Sequence, residues 1–268
     1  MTQIIAVTNQ KGGVGKTTTT SSLVCGLHQR GARVLGIDLD SQGNLGFNLG
    51  LDPSSGNTIY DVFKGECSIE DAIQSSQYGD VLPSDIMLSA AEVEFTAPRR
   101  EFMLSDMLSG VRDRYDFIVI DTPPALNLLT VNAYVASTGL IVPMEAEVLS
   151  LVGITQLQET IETVRNSYNP GLKVLGILIN KFNGRLSLSK DILEMALVVA
   201  EQLDSRVFEA KIHRGVGVAV APAHGQTVLT WQPESRPALD FQSVIDAVAG
   251  DRFPRPKIKQ RYVSQFYN

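Results

Sequence analysis

Short, nearly continuous apolar runs recur along the chain, each closed by a polar residue and followed by a stretch with helical spacing. Ile4–Val7, Arg33–Asp38 (RVLGID), Asp116–Asp121 (DFIVID), Gly139–Pro143 and Lys173–Asn180 (KVLGILIN) read as strands covered on both faces. A half-solvated strand would instead alternate apolar and polar positions. Between them the spacing predicts helices over Lys16–Arg30, Leu126–Ala136, Leu149–Tyr168, Asp191–Leu203 and Pro237–Ala249. Gly31 marks a helix stop, and Pro237 suits a first turn. The middle third is less regular. It predicts short helices at Ile59–Phe63 and Ile69–Ser75, a short strand at Val81–Leu82 and a longer helix over Arg99–Val111, with a weak strand later at Val207–Ile212. Strands alternating with helices predict an α/β class: a doubly wound, mostly parallel sheet with helices on both faces and a ligand edge at the strands' carboxyl ends.

Composition narrows the class without naming a function. The 268 residues are 44% hydrophobic, enough to bury a large α/β core. No run of 18 or more apolar residues occurs, so no membrane-spanning helix is expected. The chain opens on a strand without a charged leader, so no secretion signal is expected either. Cys25 and Cys67 form no CxxC pair, which points away from a disulfide framework or a zinc site and fits a reducing, cytoplasmic setting. Net charge is −6, unevenly spread. From Asp251 onward five cations face one acid, so residues 1–250 read as one acidic domain and residues 251–268 as a basic C-terminal tail. Such a tail suits a polyanion such as DNA or an anionic membrane, and equally a solvated terminus.

The chemistry concentrates in residues 4–20, IIAVTNQKGGVGKTTTT. A strand, a glycine-rich turn and a helix opening on Lys16-Thr17 are the order in which a phosphate loop works. Gly12, Gly13 and Gly15 let the backbone turn its N–H groups inward, and Lys11 to Thr18, Val14 included, form the candidate nucleotide cradle. Lys16 can reach the terminal phosphates, and the Thr17 hydroxyl can ligate Mg2+. The pattern GxxxxGK[ST] breaks at Gln10, which is followed by a second lysine, Lys11. Asp121, closing an apolar strand, stands where a magnesium-holding carboxylate would, though strand-terminal aspartates also form turns. Asp38 and Asp40, two apart, could serve a metal and an attacking water, or form a solvated acidic loop. Asn180 could pair with a base edge through its amide, and a strand-terminal Asn is also a common turn residue.

The form KGGVGKT resembles the deviant Walker A loop of the ParA/MinD ATPases. The likeness continues through DLDSQGN (38–44), DTPP (121–124), NAYVAS (132–137), IVPMEAE (141–147) and INKFNGR (179–185), covering about residues 1–250. It is strongest to the chromosome and plasmid partition members. It implies a P-loop ATPase that binds ATP and Mg2+ and forms an ATP-dependent homodimer. In that dimer Lys11 acts in trans on the partner's nucleotide, with Lys16 and Asp40 as catalytic residues. Asp40 would help activate water, Asp38 would lie near the metal, Asp121 would hold it through water, and Asn180 would contact adenine. The resemblance further implies nonspecific DNA binding, slow intrinsic turnover, hydrolysis stimulated by a ParB-like centromere-binding protein, and a cytoplasmic, nucleoid-associated location.

Two departures bear on the DNA surface. Family members carry IPRNVR near the C-terminal third, whereas this chain reads IHRGVG at 212–217. Arg214 remains, but the second arginine position is Gly217 and the proline position is His213; Arg185 matches another DNA-contacting arginine. One phosphate contact fewer weakens binding and its salt dependence without abolishing either. A MinD-like membrane-positioning ATPase is the main alternative, but Pro254 and Pro256 and the mixed sequence after them make a poor amphipathic helix. A cluster-carrying reductase would need bridging cysteines that Cys25 and Cys67 do not supply. An adaptor that uses nucleotide only to dimerise is disfavoured by the intact Lys16, Thr17, Asp40 and Asp121 set.

Overall fold

The computed structural model describes residues 1–52, 55–145, 151–183 and 188–256; the side chains of 151–154 and 188–192 fall outside that description. Seven strands form one sheet: β1 (Gln3–Val7), β2 (Val34–Asp38), β3 (Gln74–Ser76), β4 (Gly79–Leu82), β5 (Phe117–Asp121), β6 (Gly139–Glu145) and β7 (Lys173–Asn180). Their spatial order is β3-β4-β2-β5-β1-β6-β7, parallel throughout except for the β3–β4 hairpin. The α/β, doubly wound, mostly parallel reading holds.

Strand alternation explains the continuous apolar runs. Ile4, Ile37, Ile118, Ile120, Leu140 and Ile179 pack into one core cluster, beneath the helices Leu128–Ala136 and Leu151–Ser167. Ile5, Val7, Val34, Phe117, Val119 and Leu178 point the other way, against the helices Lys16–Gln29 and Arg236–Ala249. Both faces are therefore dry, and no strand needs a polar side. The same period of two places the terminal Asp38, Asp121 and Asn180 on the face that packs the Lys16–Gln29 helix, at the carboxyl edge of the sheet.

Several local expectations shift. The Ile69–Ser75 helix stops at Ala72, because Gln74–Ser76 turns back to pair with β4, Ser76 closing the turn onto the Tyr78 N–H and the Gly79 carbonyl. The long helix over Arg99–Val111 breaks into a 3-10 turn at Arg100–Phe102 and a helix at Met103–Leu108. The cause is Asn132, whose amide accepts from Leu104 N–H at 3.0 Å and donates to the Arg100 carbonyl at 2.9 Å, fixing that stretch from outside. Val207–Ile212 is not a continuous strand: Val207 bridges Ile177 of β7, and His213, just past the stretch, bridges Phe182 beyond the end of β7. Asn44–Asn48, after the Asp38–Asp40 turn, is a short helix.

The first residues of the basic segment pack on the domain. Arg252 pairs with Asp116, Arg255 pairs with Asp246 at 2.6 Å, and Phe253 meets Phe117 edge-on with ring centroids 5.6 Å apart. Asp116 precedes β5, so this anchorage lies at the strands' amino edge, opposite the phosphate loop. Two of the five tail cations are thus neutralised within the chain. Lys257, Lys259 and Arg261 lie outside the described residues. Among the described residues no helix is long and apolar enough to cross a membrane.

Candidate active site

The loop between β1 and the first helix has the backbone its glycines predict. Gly13 and Gly15 adopt φ of 76° and 93°. Gly15 is the N-cap of the helix, and a Cβ there would stand 2.6 Å from the Asn180 amide nitrogen. No side chain caps this helix and its first turn holds no acid, so the first-turn N–H groups and the dipole's positive end are left for an anion. The following threonines, poor helix formers, are tied down: Thr19 donates to the Gly15 carbonyl and Thr20 to the Lys16 carbonyl.

The Lys16 ammonium donates to the Lys11 carbonyl at 3.2 Å, spanning the loop. Burial holds its pKa below the ordinary lysine value, partly offset by Asp121 and Asp40. Thr17 donates to one oxygen of Asp121 at 2.6 Å and Thr20 to the other at 3.2 Å. Asp121 is fully buried, and burial pushes its carboxyl up to about 7 against the pull of Thr17 and Lys16. Asp38 is its register partner across the β2–β5 pair and is equally buried. Burial, with Asp121 adding to it, raises that carboxyl well above its usual range. Two desolvated carboxylates side by side call for a cation. Among the described residues no group of three or more His, Cys, Asp or Glu forms a ready metal cage, so a cation here would keep much of its water, as Mg2+ does.

Asp38 has a second task that the sequence did not reveal. Its oxygens accept the N–H groups of Asp40 and Leu45, both at 2.9 Å, so it folds the loop that follows. Asp40, half-buried, accepts Gln42 N–H at 3.1 Å, and its carbonyl receives both Gly43 N–H and the Ser84 hydroxyl. The Asp40 carboxylate is thereby set at a tight turn near Lys16.

Lys11 stands at the exposed rim, its ammonium 3.3 Å from Glu145 at the end of β6. Lys181, just past β7, pairs with the other Glu145 oxygen. Burial alone would raise Glu145, but hydrogen bonds from Lys181 and Lys11 outweigh it and hold the carboxyl low. Sequence reading missed Glu145; a lone acid past an IVP strand end carries no signal without the fold. Asn180 is 4% exposed; its amide NH2 donates to the Val14 carbonyl at 2.8 Å, leaving Oδ1 buried with no hydrogen-bond partner among the described residues. It forms one wall of a cleft of about 630 Å³ that Gly13, Val14, Gly15 and Thr18 share with His213 and Arg214. The structure therefore gathers Lys11 to Thr18, Asp38, Asp40, Asp121 and Asn180 at one sheet edge.

The arrangement has close parallels. The AAA_31 family model, an AAA domain, matches residues 2–174. The chromosome partitioning protein ParA of Caulobacter vibrioides is 41% identical over 85% of this chain and 87% of its own length. The sporulation initiation inhibitor protein Soj of Bacillus subtilis is 36% identical over 94% of the chain and 100% of its own. The chain belongs to the ParA/MinD family of P-loop ATPases. Among solved ParA/MinD-like folds, cobyrinic acid a,c-diamide synthase from Mycobacterium smegmatis with bound ATP analogue and magnesium superposes with a TM-score of 0.82, at 33% identity over 96% of this chain and 100% of that one. The septum site-determining protein MinD of Pyrococcus horikoshii, complexed with Mg-ADP, gives 0.75 at 25% identity over 93% and 97%.

The residues expected to meet DNA are placed less tellingly. Arg214 lies at the cleft mouth, its guanidinium donating to the Lys181 carbonyl at 3.3 Å. Arg185 lies outside the described residues. Gly217 is buried beneath Gln232, whose side-chain amide would collide with a Cβ at that position. Cys25 is a core thiol, raised to about 11 by burial, as expected of a packing residue.

Proposed function

We propose that this chain is an ATP-driven dimerising switch for DNA partition. In its ATP-bound dimer it binds DNA without sequence preference, and a ParB-like partner releases it by stimulating hydrolysis. The observation that carries the reading is the pairing of a complete hydrolytic set with a second loop lysine at the rim of the cradle: Thr17 on Asp121 beneath, Lys11 exposed. Within this chain Lys11 meets Glu145 and not the Thr17–Asp121 pair; a site completed by a second copy gives that rim cation a phosphate to reach.

In this reading the loop N–H groups and Lys16 hold the phosphates, and Thr17 and Asp121 hold Mg2+, with Asp38 behind them. The buried, unpaired Asn180 Oδ1 and the uncapped helix start are what a nucleotide would satisfy. Magnesium supplies charge neutralisation on the transferring phosphoryl group. Asp40 orients the attacking water and accepts its proton, Lys16 stabilises the transferring group's charge, and Lys11 does so from the opposite subunit. A cytoplasmic, nucleoid-associated location follows from the same reading.

DNA engagement draws on Arg214 and on cations beyond the described residues, so with Gly217 in place of an arginine a shallow salt dependence is expected. Retention on nonspecific duplex DNA, measured with ATP, ADP and no nucleotide over a salt series, tests this. ATP-specific, salt-sensitive retention supports partition. No ATP-dependent retention at any salt, with ATP-dependent capture by anionic vesicles instead, refutes it in favour of a MinD-like role.

A further inference from the structure

Lys11 is held beside β6 at both ends of its residue. Asn9 accepts the Lys11 backbone N–H through Oδ1 at 2.9 Å and donates through Nδ2 to the Pro143 carbonyl at 2.8 Å, tying the loop to the strand. Two residues on, where that strand ends, Glu145 accepts the Lys11 ammonium at 3.3 Å. Glu145 is the register partner of Asn180, the last residue of β7, and Lys181 follows at once. Lys181 has a φ of 54°, a left-handed backbone that disfavours a residue with a Cβ. The Phe182 N–H on the Ile212 carbonyl and the Arg214 guanidinium on the Lys181 carbonyl fix that turn, and the Lys181 ammonium lies on the other Glu145 oxygen. The acid's side chain is 12% exposed, against 54% for Lys11 and 46% for Lys181. One enclosed carboxylate is thus shared by two exposed cations, and the chain keeps a strained residue to supply the second.

We propose that Glu145 is an autoinhibitory latch: it holds Lys11 within its own chain until a second copy's nucleotide competes for that lysine, and Lys181 sets the strength of the hold. The inference rests on the dimer reading above and adds to it what restrains Lys11 beforehand. A lysine that is to reach a phosphate of another copy must first leave Glu145. Lys181 eases that step, because it keeps the enclosed carboxylate paired when Lys11 departs; an acid left there alone would resist release. A partly exposed ion pair is weak, so the latch sets a threshold for association and does not block it. Each dimer opens two latches, so the effect on one chain is squared in the dimer.

The test is the dimer dissociation constant with Mg2+ and ATP, by sedimentation over a protein concentration series at one ionic strength. The parent is the full chain carrying Asp40→Ala, so that ATP persists. Adding Glu145→Gln should lower the constant about three- to tenfold, and adding Lys181→Met should raise it about threefold. The two together should match Glu145→Gln alone, because Lys181 acts through Glu145. An effect of net charge alone would return that double variant to the parent's value, since the two substitutions cancel in charge. Glu145→Gln that leaves the constant unchanged or raises it, or a double variant at the parent's value, overturns the latch while dimerisation stands. A parent that stays monomeric with ATP overturns the dimer reading itself, and this inference with it.

Discussion

Asp121→Asn should make the nucleotide-free protein more stable while crippling its function, and the structure sets the size of the effect. The carboxyl is fully buried and stands at about 7, against 3.8 for an ordinary aspartate. Folding therefore takes up a proton at pH values between the two, so stability falls as pH rises from about 4 to about 7 and levels off above. At 1.36 kcal/mol per pKa unit, keeping this group ionised in the fold costs about 4 kcal/mol above pH 7. Asparagine removes the charge at nearly constant volume. Its carbonyl can still accept from Thr17, and Thr20 already has the Lys16 carbonyl as a second acceptor. The expected net gain is about 2–4 kcal/mol at pH 8, shrinking by about 2–3 kcal/mol on going down to pH 5. Urea unfolding of both proteins without nucleotide or Mg2+, from pH 5 to 8, reads the difference directly; titrating groups away from Asp121 cancel in it, while relief of Asp38, whose carboxyl Asp121 pushes up, adds to the gain. Adding Mg2+ and ATP should stabilise the wild type and barely move the variant. A variant less stable than wild type at pH 8, or a difference independent of pH, would refute the reasoning.

Three further outcomes follow from the geometry. Gly15→Ala forces a side chain into φ 93° and against the Asn180 amide, and should cost about 1–3 kcal/mol in thermal or urea unfolding while abolishing nucleotide binding. Asp40→Ala should eliminate phosphate release in a turnover assay while leaving ATP-driven association intact, since among the described residues its carboxylate accepts just the Gln42 N–H; unchanged turnover removes it from the catalytic set. Phe253→Ala should lower stability by about 1 kcal/mol through the lost contact with Phe117, without changing nucleotide affinity, because that contact lies at the opposite sheet edge.

The site was legible in the sequence to the extent that its parts are local or strand-terminal. A phosphate loop is contiguous, and period-two alternation carries Asp38, Asp121 and Asn180 to one edge and one face once the strands are recognised. The same local logic failed where a distant partner overrides propensity. Arg99–Val111 has helical spacing, yet Asn132 takes its backbone groups and breaks it. The Ile69–Ser75 helix pattern runs over Gln74 and Ser75 because the strand they pair with, Gly79–Leu82, shows in the sequence only as Val81–Leu82. Glu145 between Lys11 and Lys181, and Asp240 behind His213, join residues 27 to 134 positions apart, and no window contains both partners.

The central claim is that the pocket is half of a site completed by a second copy. Its most direct test is the mass of Asp40→Ala in solution, by sedimentation velocity, with and without Mg2+ and ATP, alongside the same protein carrying Lys11→Ala. The account predicts a monomer that becomes a dimer with ATP, and a monomer in all conditions once Lys11 is removed. A dimer that forms without nucleotide, or one that forms with ATP equally well without Lys11, would contradict it.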